Sequence, residues 1–281
     1  RTDVTPRATV EWSPRVGFNA DLTRSGGSST QLRGGAGLFA GTPPLFWLFG
    51  GFSAYGLAAR TLQCGASATD AGPAPAFNPD YRNPPSACAG GQTFAASASN
   101  GEIDVIDPAL RFPQVFRASL AVDRTLPLGV VGTIEGMYTR SAQSVFYTGI
   151  NLGEPVAFDH DGRLMYGTIA SSGIASPRRL ASRLGDVVSI RNQSRDYAYD
   201  VTGELRKAGR FADVTASMSY SRTRDVQSPR PASALLIDDW RFARPVVGRE
   251  DDVALTTSDY DQPLRLRASG TVHSPWQRRR T

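Results

Sequence analysis

The sequence predicts an all-β fold, an antiparallel meander of about seven amphipathic strands that forms an arc of a transmembrane β-barrel with three long extracellular loops. Apolar and polar residues alternate with a period of two in several runs, because successive side chains of a strand point to opposite faces. Short turns near residues 26, 127 and 209 join these runs into hairpins, whereas long irregular segments near residues 75, 170 and 240 separate the hairpins. The two ends of the strands are therefore built differently, as in a sheet that crosses a bilayer.

Composition narrows the class of protein. A chain of 281 residues that is 40% hydrophobic excludes wholesale disorder, and 28 Gly with 19 Pro favour strands and turns over helices. No stretch of 18 apolar residues exists, so no transmembrane helix is predicted. The net charge of +5 comes from arginines scattered over many segments, which indicates a solvated face and disfavours nucleic acid as a partner.

The first predicted hairpin joins strands 14–23 and 31–41. Val16, Phe18, Ala20 and Leu22 alternate with polar or small residues in its first arm. The second arm is rich in glycine, which suggests a bend or a close approach of backbones. The hairpin is followed by the predicted long loop 42–113, which contains Cys64 and Cys88. A disulfide between them would stabilise the loop by about 3–4 kcal/mol and favour an oxidising compartment; two unpaired thiols remain the alternative.

The clearest hairpin joins the predicted strands 114–125 and 129–148 through Leu126-Pro127-Leu128-Gly129. Leu120 and Val122 share one face of the first arm, and Ser119 and Asp123 share the other. A second long loop, 151–187, follows. Strands 189–208 and 211–224 form the next hairpin, and a third loop, 225–261, leads to the last strand, 263–275. Several tyrosines stand at the ends of the apolar stripes, as in the aromatic girdles of membrane barrels.

The ordered series of segments resembles the barrel of TonB-dependent outer-membrane transporters, in particular the Oar-like branch. The segments that carry the resemblance are SPRVGFNADL, QLRGGAGLFAGTPP, RFPQVFRASLAVDRTLPLGVV, EGMYTR, SRDYAYDVTGELRK, SYSRTRDVQS, DDWRF and SDYDQPLRLRASGTVHSPW. No single segment is diagnostic, but together they cover nearly the whole chain from Pro14 to Trp276.

The resemblance implies a barrel of roughly 22 strands in the bacterial outer membrane that encloses a plug. It also implies a solute captured by the extracellular loops and admitted when a TonB-type energy-transducing complex pulls on the plug. The expected partners are outer-membrane lipid and lipopolysaccharide, the rest of the barrel and plug, and the solute. Seven strands fall below the smallest single-chain barrels, and no export signal, plug or TonB box is visible, so the chain is expected to be a piece of a longer transporter.

No catalytic, cofactor-binding or metal-binding residue is predicted, and the chain is not expected to be an enzyme. Gly51-Phe52-Ser53-Ala54-Tyr55 lacks the last glycine of a nucleophile elbow. Asp159-His160-Asp161-Gly162 begins like a calcium loop but lacks the later Glu, which favours a plain turn. Large rigid or fork-shaped side chains in the loops are the candidate ligand contacts, although loop packing would also explain them: Phe46, Trp47, Tyr81, Arg82, Tyr166, Trp240 and Arg241. A secreted or surface β-domain with an adhesin role is the alternative function.

Overall fold

The computed structural model describes residues 9–43, 48, 64–66, 72–91, 103–173, 175–182, 184–228 and 248–273. Ten strands form the main sheet. They are β1 (Arg15–Asp21), β2 (Thr30–Ala40), β3 (Ile103–Ile106), β4 (Gln114–Leu126), β5 (Val130–Gly149), β10 (Val187–Gln193), β11 (Tyr197–Lys207), β12 (Ala212–Asp225), β15 (Thr256–Thr257) and β16 (Leu264–Val272). The fold is all-β, and no helix in the described parts of the chain is long and apolar enough to span a membrane.

Six further strands form small hairpins in the long connections. They are β6 (Ala157–Phe158) with β7 (Leu164–Met165), β8 (Gly167–Ile169) with β9 (Ala175–Pro177), and β13 (Gly248–Arg249) with β14 (Asp252–Val253). The short turns between β4 and β5 and between β11 and β12 lie at one end of the sheet, which we call the short-turn end. The long connections lie at the other end, which we call the loop end.

The main sheet is a meander in which β1, β2, β4, β5, β11, β12 and β16 are each antiparallel to the next. Leu128 adopts a positive φ of 64° in the turn between β4 and β5, and Gly129 follows with a φ of 72°, so the chain reverses within three residues. β3 departs from the meander because it pairs parallel with β10. The arc predicted from the sequence is therefore present.

The register brings the apolar residues of all seven meander strands onto one face, which we call the apolar face. One row of directly paired residues across it is Ala20, Leu32, Val122, Ile134, Gly203, Met218 and Leu266. Side chains of the apolar face remain exposed, with Leu120 53%, Ile134 67% and Leu266 72% exposed. A soluble sandwich would bury this face against a second sheet, and no described part of the chain covers it.

The opposite, polar face carries a connected set of charged and hydroxyl side chains. Arg33 pairs with Asp123 at 2.9 Å and with Glu135 at 3.2 Å across three strands. The hydroxyl of Thr133 donates to Asp123 at 2.6 Å. A sheet with one apolar and one polar face is typical of a barrel wall that separates lipid from a hydrated lumen.

Two kinds of boundary prediction need correction. The predicted strand 189–208 is interrupted at residues 194–196 and forms β10 and β11, although both parts keep one register against β5, from Val188 opposite Gly149 to Lys207 opposite Val130. The predicted loops 42–113, 151–187 and 225–261 contain short strands, namely β3, β6 to β9, and β13 to β15. Strands of two to four residues are too short to leave a visible alternation in a sequence.

Candidate functional site

The loop end of the sheet carries a separately packed region, which we call the loop head. It consists of β3, the last residues of β5, β10 and the connections around residues 150–186 and 248–258. One hydrophobic cluster contains Ile106, Leu110, Val145, Tyr147, Val188 and Ile190. A second cluster contains Phe146, Val226 and Val253. Because Phe146 alternates with Val145 and Tyr147, the two clusters lie on opposite faces of β5, and the sheet is buried on both sides here.

Asn151 organises the connection that follows β5. Its side-chain amide donates to the backbone carbonyls of Ala181, Leu184 and Gly185, at 3.2, 3.4 and 2.8 Å. Its side-chain carbonyl accepts from the backbone N–H of Ala181 at 2.8 Å. Asn151 is buried, so one side chain satisfies several backbone groups that would otherwise be buried without partners.

A cavity of about 480 Å³ opens beside the hairpin of β8 and β9. Its lining includes Leu152, Met165, Tyr166, Ile169, Pro177 and the ion pair between Arg179 and Asp186, whose atoms lie 3.0 Å apart. The hydroxyl of Tyr166 accepts a hydrogen bond from the backbone N–H of Glu250 at 3.1 Å. A mainly apolar cavity with a few placed polar groups is the usual form of a small-molecule site.

Charged pairs tie the hairpins of the loop head together. Arg249 donates to Glu154 at 2.7 and 3.1 Å and to Asp251 at 2.9 Å. These hydrogen bonds lower the pKa of Glu154 and of Asp251 and raise the pKa of Arg249. The pairs are exposed, so they fix orientation and contribute little stability.

Buried polar groups connect the loop head to the barrel strands. Asp225 accepts hydrogen bonds from the hydroxyls of Ser228 and Ser258, and all three side chains are buried. Asp196, in the interruption between β10 and β11, accepts from the backbone N–H of Val226 at 3.1 Å. Burial, and then the negative charge of Asp225, raise the pKa of Asp196 despite its hydrogen bonds.

The candidate contact residues occupy different environments. Tyr166 lines the cavity. Tyr81 is 81% exposed, and the guanidinium of Arg82 lies 5.5 Å from its ring centre, so these two pack on each other. Phe46, Trp47, Trp240 and Arg241 lie outside the described residues. Cys64 and Cys88 form a disulfide with Cα atoms 5.5 Å apart.

The acidic turn at residues 159–162 forms internal pairs. Asp159, His160 and Asp161 bring their ligand atoms within 4.8 Å of one another. Arg163, however, donates to Asp161 at 2.8 Å and lies 3.8 Å from Asp159. The backbone N–H of Gly162 donates to the carbonyl of Asp159 at 3.0 Å. The arrangement is a turn whose two carboxylates share one guanidinium as their partner.

Sequence reasoning missed Asn151, Arg179 and Asp225. Each acts through partners about 30 residues away or through an ion pair inside a loop. Asn, Arg and Asp are common in loops, so their residue types alone carried no signal. A signal that could have been used is a polar residue close behind a strand end, since Asn151 follows Gly149, the last residue of β5, by two positions.

Comparison with known proteins gives three results. A family model described as "Outer membrane beta barrel domain" matches residues 2–281. No curated protein matches the chain. Among solved structures, the chain is similar to a mutant of the ferric enterobactin receptor of Pseudomonas aeruginosa, with 14% identity and a TM-score of 0.39. That match covers 78% of this chain and 22% of the receptor chain.

Proposed function

This chain belongs to the outer membrane beta barrel domain family, and we propose that it is part of a TonB-dependent transporter that binds a solute at its loop head and imports it. The family places the chain in the bacterial outer membrane, which confirms the location expected from the sequence. In outer-membrane barrels short turns face the periplasm and long loops face outward. The loop head is then extracellular, and the short-turn end is periplasmic.

The observation that carries the proposal is the contrast between the two ends of one sheet. At the periplasmic end the strands close in tight turns, whereas at the extracellular end β5 and β10 continue into a head with two hydrophobic clusters. A head packed on both faces can hold a cavity in a fixed shape. Pre-organisation of this kind reduces the entropy that binding has to overcome.

The proposed mechanism is gating without covalent chemistry. A solute contacts the loop head, where the cavity beside Tyr166 offers apolar surface and a tyrosine ring. It then passes along the polar face, which lines the lumen of the complete barrel. Energy for release comes from a TonB-type complex that acts on a plug outside this chain. Lipopolysaccharide and phospholipid contact the apolar face, and the remaining strands of the barrel pair with its two edges.

Strand β2 combines close packing against its neighbours with a charged residue on the polar face. Gly34 and Gly35 lie where a Cβ atom would approach the carbonyl oxygens of Ser119 and Val16 to 2.8 Å. The glycines of β2 therefore allow close approach of its neighbouring strands. The same strand contributes Arg33 to the charged network on the polar face, which stays hydrated inside a barrel and would be unstable against lipid.

Uptake by intact cells tests the transport proposal. Cells that carry the full-length gene, cells that lack it and cells with Tyr166→Ala are grown in the same medium, and depleted solutes are measured by mass spectrometry. We expect at least one solute to be depleted only by cells with the intact gene, and depletion to stop when a protonophore collapses the energy supply. Tyr260→Ala is the matched control and should deplete the solute as the wild type does, because Tyr260 is an exposed tyrosine that does not line the cavity.

Two results would contradict the proposal. Depletion that continues at the same rate under the protonophore would indicate a passive pore. No difference between cells with and without the gene, for any solute class, would indicate a role other than transport.

A further inference from the structure

The apolar face has an unusual distribution of charge. Its alternating positions in the seven meander strands carry five side chains that are charged at neutral pH, and all five are cationic: Arg124, Arg140, Lys207, Arg222 and Arg224. The polar face of the same strands carries both signs, for example Arg33 with Asp123 and Glu135. A lipid-facing surface that has cations and no carboxylate is complementary to the phosphates of lipid headgroups.

Two of the five cations lie at the periplasmic end. Arg124 precedes the turn after β4 by two residues, and Lys207 is the last residue of β11. Both side chains are exposed. In the described ranges, neither side chain forms a hydrogen bond or an ion pair. Long basic side chains in this position extend toward the membrane interface, where headgroup phosphates lie.

Arg124 also lines a groove of about 660 Å³ on the apolar face. The groove runs from β4 across β5, β11 and β12 to β16, and its apolar lining comprises Val122, Leu126, Ile134, Leu205, Met218 and Leu266. Its volume lies within the range of roughly 300–1,000 Å³ typical of ligand sites. All five strands belong to this chain, so the groove does not depend on the rest of the barrel.

Glycine forms the open part of the groove floor. A Cβ atom added to Gly203 would meet no atom within 4 Å. At Gly132, in contrast, it would meet Leu126 at 3.1 Å and Leu205 at 3.5 Å, so these leucines lean over that glycine and form a wall. The depression above Gly203 has the shape to accept a flexible hydrocarbon chain.

We propose that this groove is a binding site for an anionic phospholipid of the periplasmic leaflet, with an acyl chain over Gly203 and the phosphate on Arg124. Lys207 lies two strands away and adds positive charge to the same interface. Acyl chains in the bilayer are as apolar as the groove, so the groove supplies shape, and the cations supply the preference for an anionic headgroup. This site goes beyond solute transport and does not depend on it.

The test uses the full-length protein in nanodiscs of phosphatidylcholine that contain a minor fraction of phosphatidylglycerol. Native mass spectrometry counts the phospholipids that remain bound after the nanodisc is removed. The wild type is expected to retain phosphatidylglycerol in preference to phosphatidylcholine. Arg124→Gln should reduce this retention about fivefold, the value of one basic side chain near a phosphate. Gly203→Leu, which fills the floor, should reduce it to a similar extent.

Two matched controls separate the site from general effects. Arg140→Gln removes the same charge from the other end of the apolar face, and Gly136→Leu adds the same side chain at a glycine that also has no atom within 4 Å and does not line the groove. Both controls should retain lipid as the wild type does. The heat-dependent gel mobility of folded barrels verifies that every variant has folded.

Three outcomes would overturn the proposal. The first is equal retention in all folded variants. The second is a wild-type protein that holds phosphatidylcholine and phosphatidylglycerol equally. The third is protein from native outer membranes that retains lipopolysaccharide, and loses it in Arg124→Gln, because this would assign the cation to a different lipid.

Discussion

The two ends of β5 place their apolar side chains in different surroundings. In its first half the apolar side chains are not covered by protein, and Ile134 is 67% exposed. Near its end, Phe146 and Tyr147 are each 2% exposed. The first half obtains its apolar surroundings from lipid, and the second half from its own loops. Within β5, the exposed apolar side chains therefore belong to the part of the meander that no described segment covers, which we call the membrane belt, and the buried ones belong to the loop head.

The largest expected effect is a charge placed in the membrane belt. Leu120→Arg should cost about 2–4 kcal/mol of unfolding free energy, because the guanidinium enters the middle of the hydrocarbon layer. Urea unfolding of the full-length protein in lipid vesicles measures it. Ser119→Arg is the control, since the neighbouring side chain points to the polar face, and it should cost far less. Equal costs at the two positions would contradict the assignment of faces.

A larger side chain should change stability in opposite directions in the loop head and in the membrane belt. Val188 in β10 and Val201 in β11 both lie in strands that pair with β5. Val188 is fully buried in the loop head, whereas Val201 is 49% exposed on the apolar face. Val188→Phe should destabilise the head by about 1–3 kcal/mol through overpacking. Val201→Phe should be neutral or stabilising, because lipid chains move aside.

Hydrogen exchange of residues 184–193 measures the effect of Val188→Phe. Urea unfolding in vesicles measures the effect of Val201→Phe. Destabilisation of similar size by Val201→Phe would mean that the apolar face is packed against protein.

Loss of the Asn151 side chain tests whether the head depends on its own hydrogen bonds. Asn151→Ala leaves the carbonyls of Ala181 and Gly185 without their partner, at a cost of about 1–3 kcal/mol. We expect faster hydrogen exchange in residues 180–186 and no change in the belt strands. Asn192→Ala is the control, because in the described residues the side chain of Asn192 bonds to the backbone of Arg111 and to no group of residues 180–186. Unchanged exchange after Asn151→Ala would show that the clusters alone hold the head.

The smallest expected effect is the pH dependence of the junction between head and belt. The pKa of Asp196 is raised in the folded protein, so folding disfavours its ionised form. The free energy of unfolding therefore falls as the pH rises from the ordinary pKa of an aspartate to the raised pKa of Asp196. Asp196→Asn should remove this part of the pH profile. The lowered pKa values of Glu154 and Asp251 act in the opposite direction.

The measurement is the difference between wild type and Asp196→Asn in the urea midpoint from pH 7 to about pH 4, near the ordinary carboxyl pKa. A difference that grows with acidification in favour of the wild type supports the raised pKa. A constant difference would show that Asp196 titrates normally.

Much of the barrel wall could be predicted from the sequence, because strand alternation is a local property. Leu120 and Ser119 are adjacent, so their opposite faces follow from the period of two. The family result confirms the outer-membrane barrel. The loop head could not be predicted, since its strands are as short as two residues and its clusters join residues as distant as Phe146 and Val253. The cavity could not be predicted for the same reason. Of the predicted contact residues, Tyr166 lines it.

Three features follow from residues that are neighbours along the chain: which side chains of a strand form its apolar face, which form its polar face, and where the chain reverses. Two other features are visible only in the folded protein: β10 and β11 continue one register along β5, and Arg124 lies at the edge of a groove built by five strands. Register and cavities depend on residues distant in sequence, and the alternation within a strand is the same for many possible pairings.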